Sequence, residues 1–404
     1  MNKSLYIGLF FISLLFSTLI SSCSVYEDVK PQEPADGETG ITLQLSSMTR
    51  GDSSDDKEII ETLRIILTDN DGRIAANNFI RVYDPTDLSA TPVLAKDYSY
   101  TWNFACTPGD YNLFVVANET SINDFDVENY TFISKPATLK EFLDGFMTGR
   151  TGFEDIVKDL YFKPDYTKSI PLSCEYELSV ARGETRTIDV YLVNVATKFQ
   201  FNFSNYRNEE VTFSDITINN VSDSNYLLAK VEEEEKFING DYWIDWLKKV
   251  VDETNRYPDF TDDQNSNDLV NQKWGWLTKY KMPVNSNHEN GHFLGESETW
   301  TIESSTPQTG SLPLPGKAEK GPFYFPESKY SANGNTQSYS LTFVIQFSDK
   351  DPKVITKNIS YIKTLFRNTY AIIDVEMTSA VEDIYVEIYP WVEKDPVYDT
   401  VAPE

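Results

Sequence analysis

Tyr100-Thr101-Trp102-Asn103-Phe104, then Thr107-Pro108-Gly109-Asp110, then Tyr111-Asn112-Leu113-Phe114-Val115-Val116-Ala117-Asn118 reads as two strands joined by a turn. Aromatic and β-branched residues fill both arms, and Pro-Gly-Asp supplies the turn chemistry between them. The same pattern recurs outward in both directions. Ile41-Thr42-Leu43-Gln44-Leu45 alternates strictly, which predicts a half-buried strand. Leu63-Arg64-Ile65-Ile66-Leu67 and Arg73-Ile74 flank Asp71-Gly72, a hairpin signal. Residues 187–203 alternate over a long stretch, and Tyr339-Ser340-Leu341-Thr342-Phe343-Val344-Ile345-Gln346-Phe347 resumes the pattern near the end. The last strand expected is Ile384-Tyr385-Val386-Glu387-Ile388. Many short strands separated by turn residues predict an all-β chain of sandwiches and argue against an α/β sheet. One short helix is expected over 138–147, with Thr138 as N-cap and Glu141 completing a capping box.

The front of the chain reads as an export signal. Met1-Asn2-Lys3 is a short positive start, an apolar run over 5–20 follows, and Leu19-Ile20-Ser21-Ser22-Cys23 resembles a bacterial lipobox. The expectation is a signal peptide over 1–22 and an acylated Cys23, tethered to a membrane by lipid through residues 23–40. Plain secretion with cleavage near Ser22 is the alternative. About 380 residues then remain, enough for two domains. The boundary is placed at Ala181-Arg182-Gly183-Glu184-Thr185, giving domains over 41–184 and 185–404. A formal net charge of −28 excludes a nucleic-acid partner, whose phosphates need a basic surface. The remaining cysteines, Cys106 and Cys174, are expected as small buried thiols in preference to a bridge.

Residues 226–300 break the β pattern and read as an insertion in the second domain. Glu232 to Glu235 is a run of acids expected on a solvated face. Tyr242, Trp243, Trp246, Leu247 and Val250 fall at helical spacing and form one apolar stripe. With Trp274 and Trp276 they also suggest a glycan-binding surface, although Trp243 and Trp246 on such a stripe read as core. His288-Glu289-Asn290-Gly291-His292 matches the zinc-peptidase pattern, with Glu298 at the place of a third ligand. That chemistry needs His288 and His292 one turn apart on a helix, with Glu289 polarising the metal-bound water. Asn285-Ser286-Asn287 before the motif and Asn290-Gly291 inside it oppose a helix, so neither a metal nor a catalytic site is assigned and no cofactor is expected.

Several segments together resemble the Bacteroides-type fimbrillins, the pilin subunits of type V pili. They are the acylatable Cys23, an early strand followed by Thr49-Arg50, and Leu63-Arg64-Ile65-Ile66-Leu67 leading into Asp71-Gly72. Pro108-Gly109-Asp110-Tyr111 running into Val115-Val116-Ala117-Asn118 is similar to the family's strand pair, and Ile170-Pro171-Leu172 to its "IPM" segment with Leu for Met. Val195-Ala196-Thr197-Lys198-Phe199, Phe325-Pro326-Glu327-Ser328 and Arg367-Asn368-Thr369-Tyr370 resemble later segments, without the Arg often found upstream of the first. The resemblance implies two tandem transthyretin-like, Greek-key β-sandwich domains and a non-enzymatic structural subunit of cell-surface fimbriae. It implies an outer-membrane lipoprotein precursor cut between Arg50 and Gly51, whose strand of Ile41, Leu43 and Leu45 is then displaced. Ile384, Val386 and Ile388 have the alternation of a donor strand for the next subunit. The partners implied are other fimbrial subunits and the membrane. A fimbrial tip or accessory adhesin, or a glycan-binding lipoprotein, is the alternative, with 226–300 contacting a host or partner-cell surface.

Overall fold

The computed structural model describes residues 39–48, 55–87, 89–231, 236–238, 240–254, 289–293, 298–308, 314–329, 339–348, 350–358, 364–378 and 382–390. The N-terminal half contains β1 (Gly40–Ser47), β2 (Thr62–Asp69), β3 (Ile74–Arg81), β4 (Ser99–Ala105), β5 (Gly109–Ala117), β6 (Asp124–Val127), β7 (Leu160–Lys163), β8 (Leu172–Val180) and β9 (Thr185–Asn194). Two short helices, α1 (Leu139–Asp144) and α2 (Phe153–Lys158), lie between β6 and β7. The chain continues through β10 (Thr197–Asn205), β11 (Val211–Val221), β12 (Asn225–Tyr226), β13 (Phe237–Ile238), β14 (Asp241–Tyr242) and α3 (Trp243–Thr254). It then forms β15 (Glu289–His292), β16 (Trp300–Ile302), β17 (Gly316–Phe325), β18 (Ser328–Lys329), β19 (Ser340–Phe347) and β20 (Lys353–Asn358). The last elements are β21 (Thr364–Leu365), β22 (Thr369–Met377) and β23 (Glu382–Pro390).

The fold is all-β, in sandwiches. The first seven-stranded sheet runs β3-β2-β5-β8-β9-β1-β4. β8 and β9 meet at only two residue pairs, Leu172↔Asn194 and Ser173↔Val193, so the sheet turns there into two layers. Inward positions alternate along each strand, and Leu63, Ile65, Leu67, Leu113 and Val115 share one core with Ile41, Leu43, Leu45, Val190 and Leu192. In the second sandwich the order β17-β10-β22-β23 faces β15-β11-β19-β20, with Phe199, Phe201, Phe203, Phe343, Ile345, Ile373 and Val375 between them.

Local chemistry explains the predicted turn and helix. Gly72 sits at φ +66°, which the tight β2–β3 hairpin requires and which a side chain would strain. The Thr138 hydroxyl accepts the Glu141 N–H at 3.2 Å, and the Glu141 carboxylate turns back to accept the Ala137 N–H at 2.9 Å.

Three buried polar groups fasten the loops. Arg64, in the apolar run of β2, donates to Glu119 through Nε at 2.6 Å and Nη2 at 2.7 Å, and to Asn77 Oδ1 at 2.8 Å. Asn118, in the left-handed region at φ +58°, accepts the Glu61 N–H and donates to the carbonyls of Ile59 and Ile170. Arg367 pairs with Glu327 and donates to the carbonyls of Tyr226 and Leu227 at 2.8 and 3.2 Å. That pair joins two segments that the sequence separates by 40 positions. Breaking such a pair leaves a bare charge in the interior, at a cost of about 3–5 kcal/mol.

Helix α3 lies between β11 and β15 in sequence, but its side chains enter the first core. Tyr242, Trp243, Ile244, Trp246 and Leu247 belong to the same cluster as Leu43 and Trp102, with Ile188 and Tyr191 of β9 packed against it. β12 likewise pairs with β7 of the first half. Within the insertion, β12 and the start of α3 therefore pack on the first half, while β15 and β16 pair with β11 of the second. The helix closes the corner where β8 and β9 diverge.

Beneath α3, Glu175 faces a small cavity lined with Lys236, Tyr242 and Trp243, and its Oε1 is buried without a hydrogen bond. Burial pushes the Glu175 carboxyl above its ordinary range, opposed by Lys236 and Lys158. The folded state thus holds this proton more tightly than the unfolded chain, so its contribution to stability falls as pH rises from the unfolded value through the folded one. Glu175→Gln should raise the urea midpoint at pH 7 and leave it nearly unchanged at pH 4; an equal shift at both would refute the assignment.

Candidate functional site: the first strand and its slot

β1 has neighbours on both sides. It pairs antiparallel with β4, placing Ile41 opposite Phe104, Leu43 opposite Trp102 and Leu45 opposite Tyr100. It pairs in parallel with β9, placing the same three residues opposite Arg186, Ile188 and Val190. Strict alternation is what makes this position workable. Ile41, Leu43 and Leu45 are 0 %, 0 % and 1 % exposed, while Gln44 faces solvent. Met48 extends the buried side by one more residue. Full burial of four such side chains is worth roughly 6–12 kcal/mol in apolar transfer. Emptying the slot would also strip β4 of its one ladder among the described strands and open the inner edge of β9.

Downstream of β1, the chain is fixed at Asp55. Asp55 caps a short 3-10 turn over Asp56–Glu58, accepting the Lys57 N–H at 3.0 Å. The Tyr324 hydroxyl donates to Asp55 at 2.5 Å and lies 3.0 Å from Glu58. Lys198 of β10 reaches Glu58 at 2.8 Å, with both side chains 3 % exposed. Burial, reinforced by the two carboxylates, drives the Tyr324 phenol far above its usual range and keeps it a donor. Asp55 and Glu58 are thus held by strands of the second sandwich, whereas β1 is held by the first. Cys23, Arg50 and Gly51 lie outside the described residues, as do Trp274, Trp276 and His288.

The second sandwich repeats the arrangement. β10 is flanked by β17, antiparallel, and β22, parallel, as β1 is by β4 and β9. β10 follows β9 after only Val195 and Ala196, so it is tied into the molecule at both ends. Among the described strands β23 ends this sheet and pairs with β22 alone, placing Ile384, Val386 and Ile388 opposite Val375, Ile373 and Ala371.

The remaining sequence candidates fall elsewhere. Glu289 to His292 form strand β15, with His292 opposite Thr217 and Glu289 opposite Val221. An extended backbone spaces residues four apart by about 13 Å, too far for two ligands of one metal, and the helix that a zinc-peptidase motif requires is not formed over Glu289–His292. Gly291 is needed there for packing, since a Cβ would lie 2.1 Å from the Phe325 ring. Glu298 pairs with Lys320. Among the described residues no group of three His, Cys, Asp or Glu could hold a metal ion. Trp243 and Trp246 are each 3 % exposed, so neither offers a face to a sugar. Cys106 and Cys174 are unbridged, the first half-buried and the second buried, and burial pushes both thiols up. Sequence reasoning missed the Asp55–Glu58–Lys198–Tyr324 anchor, because its members lie up to 269 positions apart.

No family model matches this sequence, and no curated protein matches it. In structure, the chain is similar to the tip fimbrial protein Mfa3 of Porphyromonas gingivalis with a C-terminal truncation. The two share 12 % identity and a TM-score of 0.44, over 88 % of this chain and 100 % of that one. It is also similar to a fimbrial assembly protein of Parabacteroides distasonis, at 12 % identity and a TM-score of 0.42, over 87 % of this chain and 99 % of that one.

Proposed function

We propose that this chain is a non-enzymatic structural subunit of cell-surface fimbriae, exported as a lipoprotein through Cys23 and matured by cleavage between Arg50 and Gly51. Polymerisation then follows by strand exchange. The supporting observation is β1 itself: a fully alternating strand, buried between two neighbours, and joined to the chain that follows only through the stretch between Met48 and Asp55. Cutting there leaves the new end anchored at Asp55 and Glu58, while β1 keeps only non-covalent ties to its slot. Its departure exposes an apolar trough and two rows of unpaired peptide groups, which another strand can satisfy by β-augmentation. β23, an edge strand paired on one side only, is the donor that this chain offers. Head-to-tail donation does not close on itself and so produces a filament.

An Arg-specific protease acting on the purified chain should cut at Arg50 and convert monomer to oligomers visible by electron microscopy. Arg50→Gln should remain uncut and monomeric, and clean cutting that leaves only monomer would overturn the reading. A synthetic peptide spanning residues 40–48, added in excess at the moment of cutting, should refill the slot and suppress oligomers. The same peptide carrying Leu43→Asp should not, because a carboxylate in that core position is strongly disfavoured. Equal inhibition by both peptides would place the polymer contact elsewhere.

A further inference from the structure

β4 is the end strand of the first sandwich's sheet among the described strands. It pairs with β1 on one side, and no described strand lies on the other. Cys106 donates its N–H to Thr39, so even-numbered residues of β4 direct their peptide groups at β1. Ser99, Thr101, Asn103 and Ala105 therefore direct theirs outward.

Edge strands are ordinarily protected by charge, proline, bulges or cover. The other described edge strands of comparable length follow that rule. β17 carries Lys317, Glu319, Lys320 and Pro322, and β20 carries Lys353 and Lys357. β23 carries Glu382, Asp383, Glu387 and Pro390. β3 ends on Arg81, and at its first residue the carbonyl and N–H of Ile74 are bonded to Gly149 and Arg150 at 2.7 and 2.8 Å. β4, Ser99-Tyr100-Thr101-Trp102-Asn103-Phe104-Ala105, has no charge and no proline in a chain whose net charge is −28.

We propose that β4 is a self-association edge, through which two copies of this chain join antiparallel about a two-fold axis. The strand's own sequence favours a second copy as occupant. The peptide groups that point outward belong to odd positions, so odd must meet odd across the axis. The register that pairs all seven residues is centred on Trp102. It sets Tyr100 against Phe104 of the other copy and Thr101 against Asn103, an aromatic pair on the inner face and a hydrogen-bonding pair on the outer. About eight ladder hydrogen bonds form. Phe104 is only half-buried at this margin, and the added strand covers it. The neutral strand also lets two strongly acidic molecules meet without like charges directly opposed.

The contact is separate from head-to-tail exchange, because it forms while β1 occupies its slot. Sedimentation velocity on the uncut chain should show a concentration-dependent dimer that tightens as salt screens the long-range repulsion. The double variant Thr101→Lys with Asn103→Lys places lysines directly opposite each other and should abolish the dimer. Thr101→Pro, which removes an N–H that points away from β1, should do the same with the circular dichroism spectrum retained. In hydrogen exchange, the amides of Ser99, Thr101, Asn103 and Ala105 should gain protection as concentration rises. A chain that stays monomeric up to about 100 µM, well above a micromolar dissociation constant, overturns the proposal. So does a dimer that survives both variants or weakens with salt. Protection independent of concentration means that a segment of the same chain covers β4, and it overturns the proposal equally.

Discussion

The double ladder around β1 is the constraint to which the first half of the molecule answers. Among the described strands β4 pairs only with it, and β9 receives its inner neighbour from it. Ile41, Leu43 and Leu45 supply the floor on which Trp102, Val190 and Leu192 pack. An element this central ordinarily lies deep in the chain, as β10 does in the second sandwich, with covalent continuity at both ends. Here it is the first described strand, followed by a single connection before the chain is pinned at Asp55. A vacancy at this position is costly, and a strand of like alternation in its place recovers most of that cost.

The two sandwiches are coupled by charge as well as by packing. Lys198, Glu58 and Tyr324 link the start of β10 and the end of β17 to the turn after β1. Arg367, paired with Glu327, donates to the carbonyls of Tyr226 and Leu227. Helix α3 adds an apolar contact, with Trp243 6.5 Å from Phe366, ring to ring. These contacts keep the segment that follows β1 in place independently of β1 itself.

Much of this architecture was legible in local pattern. The alternation of Ile41, Leu43 and Leu45 gave a strand and its buried side, Asp71-Gly72 gave a hairpin, and Thr138 with Glu141 gave a helix start, because each depends on residues close in sequence. What β1 pairs with was not legible, since its parallel neighbour lies about 145 positions away and parallel pairing leaves no turn between partners. The role of Arg64 was not legible for a different reason: its partner Glu119 lies 55 positions away, and only the fold brings the two together. The apolar stripe of α3 was evident, but periodicity names a buried face without naming what buries it. The His288–His292 pattern was legible as letters and misleading as chemistry, because the backbone over Glu289–His292 is extended.

The short link between β9 and β10 has a mechanical consequence. Only Val195 and Ala196 separate a strand lying parallel to β1 from one lying parallel to β22. Tension applied along the strand that fills the first slot acts lengthwise on the β9 ladder and passes almost directly into the β22 ladder. Hydrogen bonds loaded lengthwise share the force and must fail together, whereas bonds peeled from one end fail in turn. Pull along the grain of these sheets would rest on two parallel seams in series.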